Sequence, residues 1–329
     1  MIFKCKNCGG NAVYEPGRKK MYCPHCDGID SEDCIKGGSI TQCENCGAPI
    51  TIGHYTSSDK CAHCGSSIVF DDRVEGAYRP SLILPFKINK EMAVEAMNKE
   101  FKKRTFTPSS FLSEKSLDNM KGNYVPFWLY DYQAHYDFRG QGTKVRTWRS
   151  GDTEYTETSY YDVIRQMAVD FDKVPVDASI EMNDGEMDLM EPYTYQELEG
   201  FDPKYMSGFF GEVYNQGADE LEERAKIKAK SASEQLMQQS LSGYSSMKPI
   251  HRNLSFNRDG LNYALMPVWV YQYDYRGETY RFNVNGQTGK VVGKTPVSKA
   301  KVLIYGLTTM ISTSLIYYLL LAILEVLNK

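Results

Sequence analysis

Eight of the nine cysteines fall between residues 5 and 64 as four Cys-x-x-Cys pairs: Cys5/Cys8, Cys23/Cys26, Cys43/Cys46 and Cys61/Cys64. Fourteen residues separate the first pair from the second, and fourteen separate the third from the fourth, so the pattern repeats with a period of 38. The surrounding text repeats too: CKNCGG matches CENCGA, and CPHCDG matches CAHCGS. One tight turn lets two sulfurs reach the same ion, and a hairpin about fifteen residues long brings a second turn opposite the first. The spacing therefore predicts two tetrahedral Cys₄ zinc sites, each closed by four thiolates and so structural, not catalytic. Gly9, Gly47 and Gly65 directly follow a pair and Gly28 follows one residue later, as expected of a turn needing positive φ close to sulfur. His25 and His63 lie inside pairs and are expected to face solvent. Cys34 is expected to be a linker thiol. The opening MIFKCKNC has no charged-then-apolar leader. A cytoplasmic start is expected, and a reducing compartment favours metal over disulfides.

The elements that must position these thiols are small. A segment of about 35 residues cannot build a core of its own, so zinc would supply most of its folding free energy. The expected organisation is α+β: a zinc ribbon at 1–38 and another at 39–76, a mixed antiparallel β-rich domain with helices over 77–297, and a transmembrane helix over 302–324. Residues 77–89 read as a linker running into a short buried strand. Asn89 can cap a helix over about 90–104, with Val94, Met97 and Phe101 as its apolar stripe. In 123–140, Trp128, Tyr130, Tyr132, Ala134, Tyr136 and Phe138 share one parity, with Asp131, Gln133, His135 and Asp137 on the other, which predicts a long half-buried strand. Residues 262–277 repeat this text, Pro126-Phe127-Trp128 matching Pro267-Val268-Trp269. Two related β-meander units, about 123–150 and 262–297, are expected, each leading into an Arg-Gly turn, the second closed by the hairpin signal Asn285-Gly286.

Residues 175–203 hold nine acidic side chains and no Lys or Arg. They read as a solvated acidic surface, or as a docking face for a basic partner. Residues 218–241 predict a helix with Leu221, Ala225, Ala229, Ala232 and Leu236 on its apolar side. The 23 residues from Val302 to Leu324 carry no charge. As a helix they would span about 34 Å, enough to cross a hydrocarbon core. Lys294, Lys299 and Lys301 precede this stretch and only Glu325 and Lys329 follow it, placing the bulk of the chain on the cytoplasmic side of a cell membrane. The alternative is a buried C-terminal helix.

Candidate catalytic residues are scarce. Gly293-Lys294-Thr295 lacks the glycine a phosphate loop needs, because position 288 is Thr288. His135 and Asp137 share a strand face without a nucleophile. The net charge of −4 gives no overall attraction to nucleic acid, and the first 76 residues hold eight Lys/Arg against ten Asp/Glu. Lys4, Lys6, Arg18, Lys19 and Lys20 could still form a small basic patch.

The paired ribbons, LPFKI at 84–88, GNYVPFWLYDY at 122–132, VPVDAS at 174–179, MPVWVYQYDYRG at 266–277 and NGQTGKV at 285–291 together resemble the TFIIB-type zinc ribbon-containing membrane proteins of Firmicutes. The resemblance covers nearly the whole chain. It implies an accessory membrane protein without established enzymatic chemistry, linked to a phage-shock-like membrane-stress system. Members are often labelled PriA-like replication-restart helicases, a label resting here on the zinc knuckles alone. The expected function is thus a non-enzymatic adaptor recruiting protein partners at the membrane, with a nucleic-acid-binding zinc-ribbon protein as the alternative.

Overall fold

A computed structural model describes residues 1–35, 41–108, 120–275 and 277–327. The expected boundary at 38/39 lies outside these. The first cysteine segment holds β1 (Ile2–Cys5), β2 (Val13–Glu15), β3 (Lys20–Tyr22) and β4 (Glu32–Ile35), paired β1–β4 and β2–β3. The second holds β5 (Thr56–Lys60) and β6 (Ser67–Val69), followed by the one-turn α1 (Asp71–Val74). Next come β7 (Leu82–Ile83), α2 (Lys90–Lys102), β8 (Lys121–Ser150), β9 (Thr153–Asp177), α3 (Asp184–Met190), β10 (Glu199–Gly200) and β11 (Phe210–Glu212). The chain ends with α4 (Ala218–Ser240), β12 (Ser246–Tyr275), β13 (Glu278–Asn285), β14 (Val291–Gly293) and α5 (Lys299–Leu327).

One ten-stranded sheet organises the molecule, its spine running β10-β7-β12-β8-β11-β5-β6. β9 flanks β8, and β13 and β14 extend from β12. Pairing is antiparallel except at β11–β8 and β12–β7. The second ribbon's β5–β6 hairpin belongs to this sheet, through β5 on β11.

β8 and β12, each 30 residues, pair over most of their length. β8 does not turn at Arg139-Gly140 as expected but runs on to Ser150. Gly140 serves close approach instead of a turn. A Cβ there would lie 2.8 Å from the Lys248 carbonyl and 2.9 Å from the Phe138 ring, beside the β12 irregularity at Pro249/His251. The reversal comes at Gly151, at φ +60°. β12 ends opposite Thr143, so the β8–β9 tip projects beyond it as two strands. There Trp148 stacks on Tyr155 at 5.6 Å and Arg146 lies over Trp148.

The expected alternation holds in β8. Tyr130, Tyr132, Ala134, Tyr136 and Phe138 are buried, while Gln133 and His135 are exposed. Near its start both faces are covered. Tyr124 joins Phe86, Met97, Phe101 and Trp269 on one side, and Val125, Phe127 and Leu129 meet Met187 and Met190 of α3 on the other. Asn89 caps α2, accepting from the Met92 N–H at 3.0 Å. Ala93, Met97 and Phe101 form its buried stripe, with Val94 at the margin.

α4 buries Leu221, Ala225, Ala229, Ser233 and Met237, not the Ala232 and Leu236 expected toward its end. Steps of four advance 400°, so an i+4 row drifts about 40° per step and follows a diagonal path across the twisted strands.

Residues 175–203 are only in part the solvated surface expected, with Glu181, Asp184 and Glu199 exposed. Their Met187, Met190 and Tyr193 enter the core, and α4 supplies the counter-charges. Arg224 meets Asp177 at 2.7 Å, Asp184 at 3.2 Å and Asp188 at 2.9 Å. Lys228 meets Asp188 at 3.1 Å and also pairs with Glu191. Four of the nine acids thus find their basic partners on this chain's own helix, while Glu197 pairs with Lys87 and Asp202 with Lys204.

The Asn285-Gly286 signal does give a hairpin, but with a longer loop than a two-residue turn. Asn285 Oδ1 accepts from the N–H groups of Gln287 and Thr288, and Gly289 supplies the positive φ of +75°. Gly286 is needed for space, since a Cβ would lie 2.7 Å from Phe86 and Pro267.

α5 leaves the body as a long apolar helix. Its stretch Lys299–Leu324 is long and apolar enough to span a membrane, and none of it is buried. This chain therefore does not bury the helix in its own body, contrary to the alternative expectation.

Candidate metal centres

Each cysteine pair closes the same turn. The Gly9 N–H donates to the Cys5 carbonyl, Asp27 to Cys23, Gly47 to Cys43 and Gly65 to Cys61, at 2.7–2.9 Å. Gly9, Gly47 and Gly65 sit at φ +72°, +72° and +73°, as expected. In the second pair Asp27, not Gly28, takes the left-handed position at φ +59°, and its carboxylate accepts from the Tyr22 hydroxyl. Asp tolerates this region because its short polar side chain bonds locally. Gly28 serves close approach, since a Cβ there would lie 3.4 Å from the sulfurs of Cys5 and Cys26.

The turns assemble into two clusters, Cys5/Cys8/Cys23/Cys26 and Cys43/Cys46/Cys61/Cys64, each with all sulfurs within 4.8 Å of one another. The closest cross-pair distances are 3.6 Å for Cys5–Cys26 and Cys8–Cys23, 3.7 Å for Cys43–Cys64 and 3.8 Å for Cys46–Cys61. A tetrahedron of sulfurs about 2.3 Å from a central ion has edges of about 3.8 Å. A disulfide would need about 2.05 Å, so the geometry fits metal and excludes bridges. In each pair the first cysteine is buried and the second exposed. Both centres could therefore hold a metal ion, and four thiolates suit a soft or borderline cation.

The thiols are electrostatically uneven. Burial pushes Cys43 up to about 12. Cys64, despite its own desolvation, is drawn down to about 6 by its hydrogen bonds with the Ser66 side chain and backbone and with Asn45. Four thiols this close cannot all ionise without a cation between them, which is the charge a bound metal would supply.

His25 and His63 are exposed within their turns, as expected. Cys34 is not in a linker. It lies in β4, opposite Phe3 of the strand that carries Cys5. His135 is exposed and belongs to neither cluster. The basic residues of the first ribbon form no continuous stripe. Lys20 pairs with Asp30 at 2.8 Å and Lys6 with Asp33 at 3.2 Å, while Arg18 covers the Tyr22 ring.

Sequence reasoning missed the strap that joins the ribbons to the body. The Ser207 carbonyl accepts from the Tyr14 N–H at 2.9 Å, and its hydroxyl donates to the Ala12 carbonyl at 2.7 Å. The Gly208 N–H donates to Ser67 Oγ at 2.7 Å, and Ser58 Oγ donates to the Phe209 carbonyl at 3.1 Å. Asn11 and Ser67 also link the two ribbons directly. The only sequence hint is Ser207-Gly208, small residues amid aromatics, with Gly208 at φ +98° and its Cα hydrogen where a Cβ would meet Val13 at 3.0 Å.

No family model matches the chain, and no solved structure matches it. The chain is 35% identical over 311 residues to an uncharacterized protein of Bacillus subtilis (strain 168), YdjG, covering 91% of each. An identity of that extent, over nine-tenths of both chains, shows that the chain belongs to the YdjG family.

Proposed function

We propose that the chain is a non-enzymatic, membrane-anchored adaptor. α5 holds it to the cytoplasmic face of the membrane, two Zn²⁺ ions hold its ribbons, and the ribbons and long β-hairpin present surfaces to protein partners. The observation that carries this reading is α5 itself: a helix of membrane-spanning length and composition whose apolar side chains, from Val302 to Leu324, the rest of the chain leaves uncovered. Lys294, Lys299 and Lys301 before it favour the cytoplasmic side for the body. Anchoring raises the local concentration of a partner without catalysis.

Nucleic-acid binding is the less supported reading. Asp30 and Asp33 interrupt the cations of the first ribbon, giving a mixed face where a phosphate backbone needs a basic one. The TFIIB-type and PriA-like labels rest on the zinc knuckles. The phage-shock-like setting rests on the family resemblance.

The test compares the full chain with a version ending at Ser298, by membrane fractionation and crosslinked pull-down. The adaptor reading expects the full chain in the membrane with protein partners and the short one in the soluble fraction. Soluble material from both, bringing down nucleic acid, would overturn it.

A further inference from the structure

The first turn of α5 does not hang free. The Ser298 N–H donates to the Phe106 carbonyl at 2.8 Å, and Lys301 Nζ donates to the Thr107 carbonyl at 2.7 Å. Thr107 and Thr295 join through their hydroxyls at 3.0 Å, and the Phe106 and Tyr305 rings meet edge to face at 5.4 Å. Arg104 donates to the Gly293 carbonyl at 2.8 Å. The end of α2, almost two hundred residues earlier in the chain, is therefore fixed beside the point where α5 leaves the body.

That end is strongly basic. α2 closes with Lys99 and Lys102, Lys103 and Arg104 follow directly, and Lys294, Lys299 and Lys301 flank the start of α5. The nearby acids on α2 are Glu95 and Glu100, and Glu100 is engaged by Lys103 at 2.9 Å and Arg104 at 4.0 Å. Among the described residues Lys99, Lys102, Lys294 and Lys299 make no ion pair, and all four are exposed. Val297, 65% exposed, stands among them. Lys99 is about 6 Å along the helix from Lys103, within a Debye length of the same surface at physiological salt.

We propose that the end of α2 and the approach to α5 form one composite basic surface that docks on anionic phospholipid headgroups. The proposal rests on the reading of α5 as a membrane anchor. Once α5 spans a bilayer, its first turn lies at the headgroup layer and carries the α2 lysines there with it. Each such cation near an anionic surface favours contact by about fivefold. Exposed Val297 can add an apolar contact at the same depth. The surface orients the body on the bilayer and makes anchoring sensitive to lipid charge.

The test uses the full chain reconstituted in bilayers of phosphatidylcholine alone or mixed with phosphatidylglycerol. Resistance to alkaline extraction is scored first. A chain that fails to insert in either bilayer overturns the anchor, and this docking surface with it. For the inserted chain, amine-reactive labelling of each lysine is followed by mass spectrometry. The expected result is severalfold slower labelling of Lys99 and Lys102 with phosphatidylglycerol, reversed by high salt, with exposed Lys230 on α4 unchanged. The double variant Lys99→Gln/Lys102→Gln is expected to lower association of spin-labelled phosphatidylglycerol relative to phosphatidylcholine while its melting temperature stays put. Equal labelling in both bilayers for an inserted chain overturns the docking surface and leaves the anchor standing.

Discussion

Val125 of β8 and Met266 of β12 are Cα partners across the two longest strands, and they are also the same position in the two copies of the internal repeat. Each precedes its copy's proline, Pro126 or Pro267. The copies thus meet about a local two-fold axis. Trp128 and Trp269, equivalent by the same alignment, act alike: the first donates its indole N–H to the Gln216 carbonyl at 3.0 Å, the second to the Ile88 carbonyl at 2.9 Å. Trp269 is 6% exposed among Phe86 and Phe209, whereas Trp128 is half-buried. Trp269→Phe leaves a carbonyl without its donor in a dry site, and is expected to cost about 1–3 kcal/mol. Trp128→Phe is expected to cost less. Denaturant midpoints of the two variants check the order, and equal losses would remove the distinction.

Asp177 is fully buried against Arg224. The Arg224 nitrogen nearest it already donates to the Asp184 carbonyl and to Asp188, so Asp177 receives charge but no directed hydrogen bond. Burial raises its carboxyl from 3.8 to about 6, with Arg224 opposing. The folded state therefore holds a proton that the unfolded chain has released between these values. Stability from this group is full below pH about 4 and falls as pH rises to about 6, by about 3 kcal/mol in all. Asp177→Asn is expected to flatten that slope. Arg224→Met is expected to cost about 3–5 kcal/mol where Asp177 is ionised and clearly less where it is protonated. Urea titrations at pH 5 and pH 8 measure both, and a pH-independent loss for Arg224→Met would contradict the assignment.

Cys61 belongs to the second centre and packs with Ile2, Ile68 and Phe70. Because β5 joins the central sheet through β11, damage to this centre should reach the body. Cys61→Ser is expected to bind one metal equivalent in place of two by elemental analysis. It should also lower the melting temperature of the whole chain and shift the emission of Trp269, which packs beside Phe209. Metal should be lost as pH falls, because thiols must be deprotonated to bind. Unchanged tryptophan emission after metal loss would show the ribbon to be uncoupled.

Leu315 lies near the middle of the apolar stretch and is exposed. Leu315→Arg is expected to raise the cost of insertion by about 3–4 kcal/mol. The alkali-extractable fraction should rise while the melting temperature of the body stays the same. A lower melting temperature with unchanged membrane retention would point to a packing role for α5.

Much of this was legible where the signal is local. The thiol spacing, the Asn89 cap, the alternation in β8 and the uncharged run in α5 each depend on neighbours within a few residues. What was not legible depends on distant ones. Gly140 read as a turn because its reason, the Lys248 carbonyl, lies on another strand. The acids of 175–203 read as solvated because Arg224 and Lys228 are on α4. Cys34 read as a linker thiol because β4 finds its partner at the opposite end of the ribbon. The strap at 206–211 carries no periodicity at all.

At about 3.3 Å per residue, the 30 residues of β8 cover about 100 Å. Its first residues pair with the part of β12 that leads, through β13 and β14, to the base of α5. The stacked Trp148 and Tyr155 are at the far end. With α5 seated in a bilayer, as proposed above, an arm of that length would hold its tip in solvent far from the lipid. The tip would then reach objects that never touch the membrane, over a distance set by strand length instead of by a flexible tether.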